Sequence, residues 1–351
     1  MDVMFAAGEA SGDLHSAGVA KALLARRPDL NFVGVGGQRM RAAGVDLLAD
    51  FASGAVMGFT EIITHLPRHF ALLRSLTTRL RDGQVALLVC VDYPGFNLNL
   101  AAEAHAARVP VLYYITPQVW AWGARRLKTL ARVVTKAAVI LPFEEALLRT
   151  NGIDATFVGH PLLDRAEAAP DRATARAALG LAPDAKVLAL FPGSRPQEIE
   201  RHLDPFLAAA GAVERRAPGT KVVVSIAPGM HVDAARSPYP LVSADSLTVL
   251  RAADAAVCKS GTTTLEAAVT ACPLVVAYVT SRWTYAVARR VVTIPRIGLV
   301  NVVAGREVAT EFVQGALVPD AVADALLPLL HETPQRAEML AGLAEVRARL
   351  G

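Results

Sequence analysis

Two glycine turns in this sequence combine the residue types that hold a phosphate group. One of them follows the apolar run 255–258 and reads Ser260, Gly261, Thr262 and Thr263. A turn that leads from a strand into a helix leaves backbone N–H groups unpaired at the positive end of the helix dipole, where a diphosphate is favoured. A nucleotide site is therefore one interpretation of this turn.

Glu266 follows that turn by one helical turn. From this position its carboxylate could accept hydrogen bonds from the hydroxyls of a ribose, as the acid after a dinucleotide loop does. The alternative is an ordinary capped helix, in which a serine or threonine of the turn is the cap and Glu266 completes a capping box. The turn by itself leaves both interpretations open.

The second turn favours the nucleotide interpretation. The apolar strand 187–191 runs into Gly193, Ser194 and Arg195, and Pro196 stands at a favoured first position of the next helix. Both turns lie at carboxyl ends of predicted parallel strands, which is the ligand-binding edge of open α/β sheets. Arg195 adds a permanent cation with a fork geometry that suits phosphate oxygens. The pair predicts a diphosphate clamp, with a solvated surface arginine as the alternative.

A carboxylate at a third strand end is the best candidate for acid–base chemistry. Asp92 follows the apolar strand 86–91 and precedes a Pro-Gly turn, which would fix its position. Burial can raise the pKa of a carboxyl group toward a value useful for a general base. We expect Asp92 to abstract a proton from a hydroxyl group; the alternative is an N-cap for a helix that begins at Phe96 or Asn97.

The loop after the first predicted strand carries carboxylates instead. Glu9, Ser11 and Asp13 lie in a turn that lacks the GxGxxG pattern and whose charges would repel a pyrophosphate. Such a turn suits hydroxyls, amides or a sugar ring. The structural alternative is that Asp13 and Ser11 cap the helix predicted over 14–26.

Strands alternate with helical patterns along almost the whole chain, which predicts an α/β protein with doubly wound parallel sheets. Strands are predicted near 3–7, 32–35, 86–91, 111–115, 138–141, 156–158, 187–191, 222–226, 239–242, 255–258 and 274–278, and helices over 320–331 and 334–350. The polar, Ala-rich stretch around Pro170 is the best linker candidate. We expect two Rossmann-like domains facing across a cleft, 1–168 and 169–334, with 335–351 returning to pack on the first.

Composition excludes several classes of protein. The 351 residues, 53% hydrophobic and 19% charged, suit two buried sheets rather than a disordered chain. Prolines and glycines interrupt the long apolar runs before they could span a bilayer, and no basic, cleavable leader is visible. Cys90, Cys258 and Cys272 lack CxxC spacing, which indicates buried thiols in a reducing cytosol. The net charge of +4 is mild, so we expect no nucleic-acid partner.

Eight short strings occur in order along nearly the whole chain: GEASGD, GVGGQRM, ITPQVWAW, LPFE, FVGHPLLD, FPGSRPQEI, KSGTTTLEAA and NVVAGRE. Together they resemble the lipid-A-disaccharide synthase family. The resemblance implies a glycosyltransferase of the GT-B type. It further implies an inverting transfer of 2,3-diacylglucosamine from its UDP conjugate to the 6-hydroxyl of 2,3-diacylglucosamine 1-phosphate (lipid X), giving the β-1,6-linked lipid A disaccharide 1-phosphate and UDP.

The resemblance also assigns roles to residues. Asp92 takes the position of the base that deprotonates the acceptor hydroxyl. The sugar side comprises Glu9, Ser11 and Asp13, and the donor side comprises Gly193, Ser194, Arg195, Ser260, Gly261, Thr262, Thr263, Glu266 and Asn301. Cations and N–H groups would stabilise the departing UDP without a metal or other cofactor, and the sequence has no DxD pair. Lys259 departs from the family pattern, which commonly has a small residue there, and this change bears on phosphate affinity.

Acylated substrates need a route from the membrane, and residues 55–81 could supply it. Apolar side chains alternate there with histidines and arginines near helical spacing, as in an interfacial helix. The expected membrane contacts are Met57, Phe59, Ile62, Ile63, Leu66, Phe70 and Leu73. The alternative is a core helix with solvated arginines and a kink or boundary at Pro67. We favour a cytoplasmic protein associated peripherally with the inner face of the cytoplasmic membrane; whether it forms a homodimer, and whether Trp120 and Trp122 contact acyl chains, stays open.

Two other classes of enzyme share parts of this pattern. A GT-B-like UDP-sugar 2-epimerase would use the same nucleotide turns but should lack the VWAW block and the amphipathic segment. A nicotinamide-dependent oxidoreductase needs a GxGxxG fingerprint and an acid about 20 residues beyond it, and the first predicted βα unit has neither. Transfer of a sugar is the favoured reaction, with the epimerase as the alternative.

Overall fold

The chain folds as two compact units, Met1–Gly159 and His160–Gly351. The computed structural model describes residues 1–50, 61–121, 124–291 and 294–351, with side chains described except at 61–69, 124–125, 282, 287–289 and 291. Within these residues each unit contains one parallel sheet, as the alternation of strands and helices predicts. The boundary between the units lies after Gly159, whereas the linker pattern had suggested a boundary after residue 168.

Within the described residues, the first unit contains a seven-stranded sheet in the order β3-β2-β1-β4-β5-β6-β7. The strands are β1 (Asp2–Ala7), β2 (Phe32–Gly36), β3 (Asp46–Asp50), β4 (Val85–Val91), β5 (Val111–Tyr114), β6 (Lys136–Val139) and β7 (Ala155–Phe157). The helices are α1 (Ala10–Arg26), α2 (Gln38–Ala42), α3 (Glu61–Arg81), α4 (Pro94–Ala106), α5 (Ala124–Val133) and α6 (Pro142–Thr150). The strand order reverses between β1 and β4, and open α/β sheets bind ligands at such a point.

The second unit contains, among its described residues, a six-stranded sheet in the order β10-β9-β8-β11-β12-β13. The strands are β8 (Val187–Phe191), β9 (Lys221–Ser225), β10 (Leu241–Val242), β11 (Ala255–Lys259), β12 (Leu274–Tyr278) and β13 (Glu311–Val313). The helices are α7 (Leu162–Glu167), α8 (Arg172–Ala178), α9 (Pro196–Arg216), α10 (Ser246–Ala252), α11 (Thr263–Val269), α12 (Arg282–Val291), α13 (Leu299–Ala304), α14 (Pro319–Leu326) and α15 (Pro334–Arg349), with short 3-10 turns at Ala234–Arg236, Gln314–Ala316 and Leu327–Leu330. Its reversal point lies between β8 and β11.

The central strands are apolar along nearly their whole length because helices cover both faces of each sheet. In β1, Val3, Phe5 and Ala7 belong to one buried cluster, while Met4 and Ala6 belong to the cluster on the opposite face. Successive side chains of a strand point to opposite faces, so a strand buried on both sides needs an unbroken apolar run. Because of this requirement, the central strands can be predicted from the sequence.

The structure contains every strand that the sequence predicts and adds β3 and β13. Both of these lie at the edge of a sheet. The sequence of β3 is DLLAD, which is partly exposed, and β13 has three residues. Edge strands are short and carry charge, so they lack the apolar run that reveals a central strand. The first helix begins at Ala10, earlier than the predicted start at Leu14.

The stretch around Pro170, which we expected to be a linker, belongs to the second unit. It contains helix α8, whose residues Arg172 and Arg176 bind Asp254 at 2.7 and 3.0 Å. Asp254 is buried and also accepts the backbone N–H of Val187 at 2.8 Å, at the first residue of the central strand β8. The Ala-rich, charged composition reflects a helix that carries the cationic partners of a buried carboxylate.

The segment 335–351, which we expected to pack on the first domain, is likewise part of the second unit. Helix α15 contacts α11 and α13 there. The carbonyl of Leu350 accepts the backbone N–H of His160 at 2.8 Å, which joins the two ends of the second unit.

Candidate active site

The loops after β1 and β4 meet at the reversal point of the first sheet. Gly8 is required for this contact, because a Cβ added there would lie 2.2 Å from the Cδ1 atom of the Tyr93 ring. Burial raises the pKa of the Tyr93 hydroxyl, and the nearby charge of Glu9 raises it further. The structure therefore brings the Glu9 loop and the Asp92 loop together.

Asp92 and Tyr93 both have left-handed backbone conformations, with φ of 49° and 47°. Such residues cost on the order of 1–3 kcal/mol each, and they persist where the surrounding structure holds them. Two donors hold this turn: the carbonyl of Asp92 accepts the Asn97 Nδ2 amide and the Tyr113 hydroxyl, each at 2.8 Å. Asn97 is fully buried and also donates to the carbonyl of Ala6, which ties the turn to β1.

Asp92 itself is partly buried and lies two residues before the helix. Helix α4 begins at Pro94, its N-cap is Tyr93, and the cap makes no side-chain hydrogen bond. The helix thus begins before Phe96, and its N-cap position is Tyr93 rather than Asp92. The strained turn instead places the carboxylate at the carboxyl end of β4, next to the Glu9 loop.

The three polar residues after β1 have different surroundings. Glu9 and Ser11 are exposed, and Glu9 is the N-cap of α1 without a side-chain capping bond. Asp13 is buried, and its oxygens accept the backbone N–H groups of Gly37, Arg39 and Met40 at 2.9, 3.1 and 2.9 Å. Asp13 thus caps α2 rather than its own helix, which joins the GEASGD string to the GVGGQRM string.

The VWAW string is tied to the LPFE string by one hydrogen bond. Trp120 donates its indole N–H to Oε1 of Glu144 at 3.0 Å, and its ring meets Phe143 edge to face at 5.2 Å. Glu144 is only 3% exposed, and its Oε2 accepts the backbone N–H of Leu141 at 3.1 Å. Burial raises the pKa of Glu144 to about 7, although these two donors act against the shift. Trp122 lies outside the described residues.

In the second unit, the turn after β8 has the geometry that its glycine predicts. Gly193 has a φ of 135°, and a Cβ there would lie 2.5 Å from the Cβ of Glu198. Helix α9 begins at Pro196, as predicted. Arg195 is exposed and lies 3.7 Å from Glu198, whose other oxygen accepts the Ser194 N–H at 3.0 Å. The turn is folded around a carboxylate that the sequence interpretation did not single out.

The same carboxylate reaches the second turn through Lys259, the last residue of β11. The Lys259 ammonium donates to Oε1 of Glu198 at 2.9 Å, and it lies 5.8 Å from the centre of the Tyr278 ring. Burial acts to raise the pKa of Glu198, but the hydrogen bond and charge of Lys259, the Ser194 N–H and the Arg195 charge together lower it. The signal in the sequence was an acid in the first turn of the helix that follows a glycine turn, together with the unexpected Lys259.

The second turn exposes backbone donors as predicted. The Ser260 hydroxyl donates to the carbonyl of Ile297 at 2.7 Å, which fixes the start of the turn. The N–H groups of Gly261, Thr262 and Thr263 bond to no part of the chain that the structure describes. Thr262 is the N-cap of α11 but makes no side-chain capping bond, so the capping-box alternative is wrong.

Glu266 lies inside the second unit rather than on its surface. It is 7% exposed, and Oε1 lies 3.3 Å from Nη1 of Arg165, which also binds Asp245 at 2.9 Å. Burial raises the pKa of Glu266, while hydrogen bonds from Ser246 and Arg165 and the Arg165 charge act in the opposite direction. The Glu266 carboxylate therefore lies in the first turn of α11, directly after the turn 260–263, and Arg165 orients it.

Asn301 positions a loop. Its side chain is fully buried, donates to the carbonyl of Ala309 and to Glu311 at 2.7 and 2.8 Å, and accepts the N–H groups of Val308 and Ala309 at 2.7 and 2.9 Å. Both amide hydrogens and the oxygen are engaged within the unit. Any contribution of Asn301 to a donor site therefore acts through the loop that it holds.

Thiol chemistry has no support in the site. Cys90, Cys258 and Cys272 are buried and free, which confirms the prediction of buried thiols, and burial raises the pKa of each. Among the side chains that the structure describes, no group of three or more His, Cys, Asp or Glu residues is arranged to hold a metal ion.

The predicted membrane segment is only partly described. Met57 and Phe59 lie outside the described residues, and Ile62, Ile63 and Leu66 lie in α3 where the side chains are not described. Farther along α3, Phe70 is 66% exposed, Leu73 is partly buried, and Leu76 and Leu80 belong to the core. None of the helices that the structure describes has both the length and the apolar character needed to cross a bilayer.

Comparison with known proteins distinguishes between the transferase and the epimerase. Residues 3–348 match the family model described as Lipid-A-disaccharide synthetase. The chain belongs to the lipid-A-disaccharide synthase family. It is 42% identical to the lipid-A-disaccharide synthase of Myxococcus xanthus and 40% identical to that of Syntrophus aciditrophicus, in each case over 99% of this chain and 93% of the relative. The resemblance carried by the eight strings is confirmed, and the protein is a glycosyltransferase of lipid A biosynthesis.

Solved structures confirm the GT-B architecture. UDP-GlcNAc 2-epimerase from Neisseria meningitidis, bound to UDP-GlcNAc, has a TM-score of 0.65 and 13% identity, covering 100% of this chain and 97% of that one. CalG4, the calicheamicin glycosyltransferase, has a TM-score of 0.61 and 18% identity, covering 99% and 94%. At such identities the likeness shows a shared fold, so the epimerase neighbour does not argue for epimerisation.

Proposed function

We propose that this enzyme transfers 2,3-diacylglucosamine from UDP to the 6-hydroxyl of 2,3-diacylglucosamine 1-phosphate with inversion, forming the β-1,6-linked lipid A disaccharide 1-phosphate. Family membership supports the reaction class. The observation that carries the mechanism is the strained turn that holds Asp92 at the reversal point of the first sheet, fixed by Asn97 and Tyr113.

Asp92 acts as the general base. Its carboxylate removes the proton from the acceptor 6-hydroxyl as that oxygen attacks the anomeric carbon of the donor from the face opposite UDP. A new carbon–oxygen bond forms, the bond between the anomeric carbon and the phosphate oxygen breaks, and the electron pair leaves with UDP. Attack on the opposite face inverts the anomeric centre, and the proton remains on Asp92.

The two turns at the reversal point of the second sheet bind the departing diphosphate. Gly193, Ser194 and Arg195 supply backbone and guanidinium donors, and the turn 260–263 supplies its N–H groups. Fixed donors of this kind stabilise charge that develops on a leaving group without a metal or other cofactor. Glu266, oriented by Arg165, binds the ribose hydroxyls, and Glu9 and Ser11 contact the reacting sugars.

Both substrates carry acyl chains, so the enzyme works at the inner face of the cytoplasmic membrane and binds it peripherally. The exposed ring of Phe70 on α3, a helix with arginines in its last turn, supports this arrangement. An apolar face bordered by cations binds anionic lipid surfaces without crossing them.

The test is product formation from the two acylated substrates in detergent micelles containing EDTA, comparing the wild type with Asp92→Asn. Loss of the base should lower kcat by about 10²–10⁴-fold. Asp82→Asn, at an exposed position beyond α3, is the matched control and should retain full activity. An active Asp92→Asn variant would remove Asp92 from the role of base, and a folded but inactive wild type would contradict the substrate assignment.

A further inference from the structure

The carboxylate of Glu198 occupies a set of donors that otherwise suits a phosphate. It receives the Lys259 ammonium at 2.9 Å and the backbone N–H of Ser194 at 3.0 Å, with the Arg195 guanidinium 3.7 Å away. Two cations and a backbone N–H converge here on one internal anion. These are the groups that recognise a phosphate group in proteins.

These donors come from the two strand ends at which the glycine turns begin. Ser194 and Arg195 belong to the turn after β8, while Lys259 ends β11 and directly precedes the turn 260–263. The Lys259 ammonium lies 3.7 Å from the position that a Cβ would take on Gly261, so it stands over the second turn. Glu198 therefore joins the two turns at the reversal point, where a diphosphate would have to lie.

Burial explains why an anion must be present. The side chains of Lys259 and Glu198 are only 20% and 16% exposed. An ammonium group withdrawn from water in this way needs a compensating anion, because an unpaired charge at a partly desolvated position is costly. Exchanging one anion for another keeps Lys259 neutralised, whereas binding a ligand beside an intact ion pair would add negative charge next to Glu198.

We propose that Glu198 is an internal substitute for the donor phosphate: it neutralises Lys259 in the free enzyme and releases Lys259 to the diphosphate when the UDP-sugar binds. This inference rests on the proposed function, since it concerns the same donor site. It assigns to Lys259 the role of a second phosphate cation beside Arg195, and to Glu198 the role of a competing anion that sets nucleotide affinity.

The exchange makes a directional prediction for UDP binding measured by isothermal titration calorimetry. Glu198→Gln keeps an oxygen for the Ser194 N–H but removes the competing charge, so it should bind UDP about three- to tenfold more tightly than the wild type. Lys259→Met removes the cation and should bind about tenfold or more weakly. Glu200→Gln, on the exposed face of the same helix where Glu200 pairs with Arg236, is the matched control and should leave affinity unchanged.

A Glu198→Gln variant that binds UDP no better than the wild type would overturn the exchange, because Glu198 would then support the site rather than compete for it. If that variant does not fold, Glu198→Asp replaces it: the shorter carboxylate reaches Lys259 less well and should also tighten UDP binding, and unchanged or weaker binding would overturn the proposal. A folded wild type that does not bind UDP would overturn the proposed function itself, which separates the two failures.

Discussion

Replacement of Glu144 by Gln should change how the stability of the first unit depends on pH. Glu144 is buried beneath the VWAW string and holds the indole N–H of Trp120 and the backbone N–H of Leu141. Burial raises its pKa from 4.5 to about 7. The folded protein therefore keeps a proton on this carboxyl group at pH values where the unfolded chain has already released it.

The direction and the size of the pH effect on stability follow from the difference between the folded and unfolded pKa of Glu144. Stability due to the raised pKa is fully present below about pH 4.5 and is lost as pH rises through about 7. At about 1.4 kcal/mol for each tenfold change in proton affinity, the loss is on the order of 3 kcal/mol across this window. Gln is neutral at every pH, so the variant should lack this slope, although its amide should cost about 1–3 kcal/mol at all pH values by facing a backbone donor.

The assay is urea denaturation between pH 4.5 and 8, followed by tryptophan fluorescence and circular dichroism. The free energy of unfolding of the wild type should fall relative to that of Glu144→Gln as pH rises. Glu103→Gln, which removes a surface ion pair with Arg81, is the control and should keep the wild-type slope. Parallel pH profiles for the wild type and Glu144→Gln would refute the reasoning, because they would show that Glu144 is ionised in the folded protein throughout the range.

Two further substitutions test the packing behind the sites. Gly8→Ala should abolish most transferase activity in the micelle assay, because the new methyl group would overlap the Tyr93 ring. A Cβ at Gly18 would meet no atom within 4 Å other than those of its chain neighbours and of the backbone of its own helix, so Gly18→Ala should retain activity and add about 0.5–1 kcal/mol of stability in α1. Equal activity of the two variants would contradict the proposed contact between the first two loops. Asp254→Ala should lower the free energy of unfolding of the second unit by about 3–5 kcal/mol in urea denaturation, because it leaves Arg176 buried without its partner; a loss below about 1 kcal/mol would contradict that role.

Structural features that depend on residues adjacent in the sequence could be predicted. Strand β8 has the predicted bounds because a run of five apolar residues that ends at a Pro-Gly turn suits a short strand covered on both faces. Pro196 begins α9 as expected, since its fixed φ suits the first position of a helix. The glycine at 193 indicated an unusual turn, and its φ of 135° has that character.

Other features depend on residues far apart in the chain. Asp13 was expected to face a sugar or, as the alternative, to cap its own helix, yet its oxygens bind the start of α2, more than twenty residues away. Lys259 and Glu198 are separated by 61 positions and meet only because β8 and β11 are neighbours in the sheet. The region around Pro170 had the composition of a linker, and only the position of Asp254 shows why its arginines are there.

The sequence by itself determined the class of fold, the central strands, the two glycine turns and the family. These follow from hydrophobic period, backbone preference and short ordered strings, all of which act within a few residues. The tertiary structure alone decided the edge strands β3 and β13, the unit boundary, the role of Asp13 and the partners of Trp120 and Lys259. Each of these depends on strand order, because strand order determines which distant side chains become neighbours and which charges must be neutralised away from water.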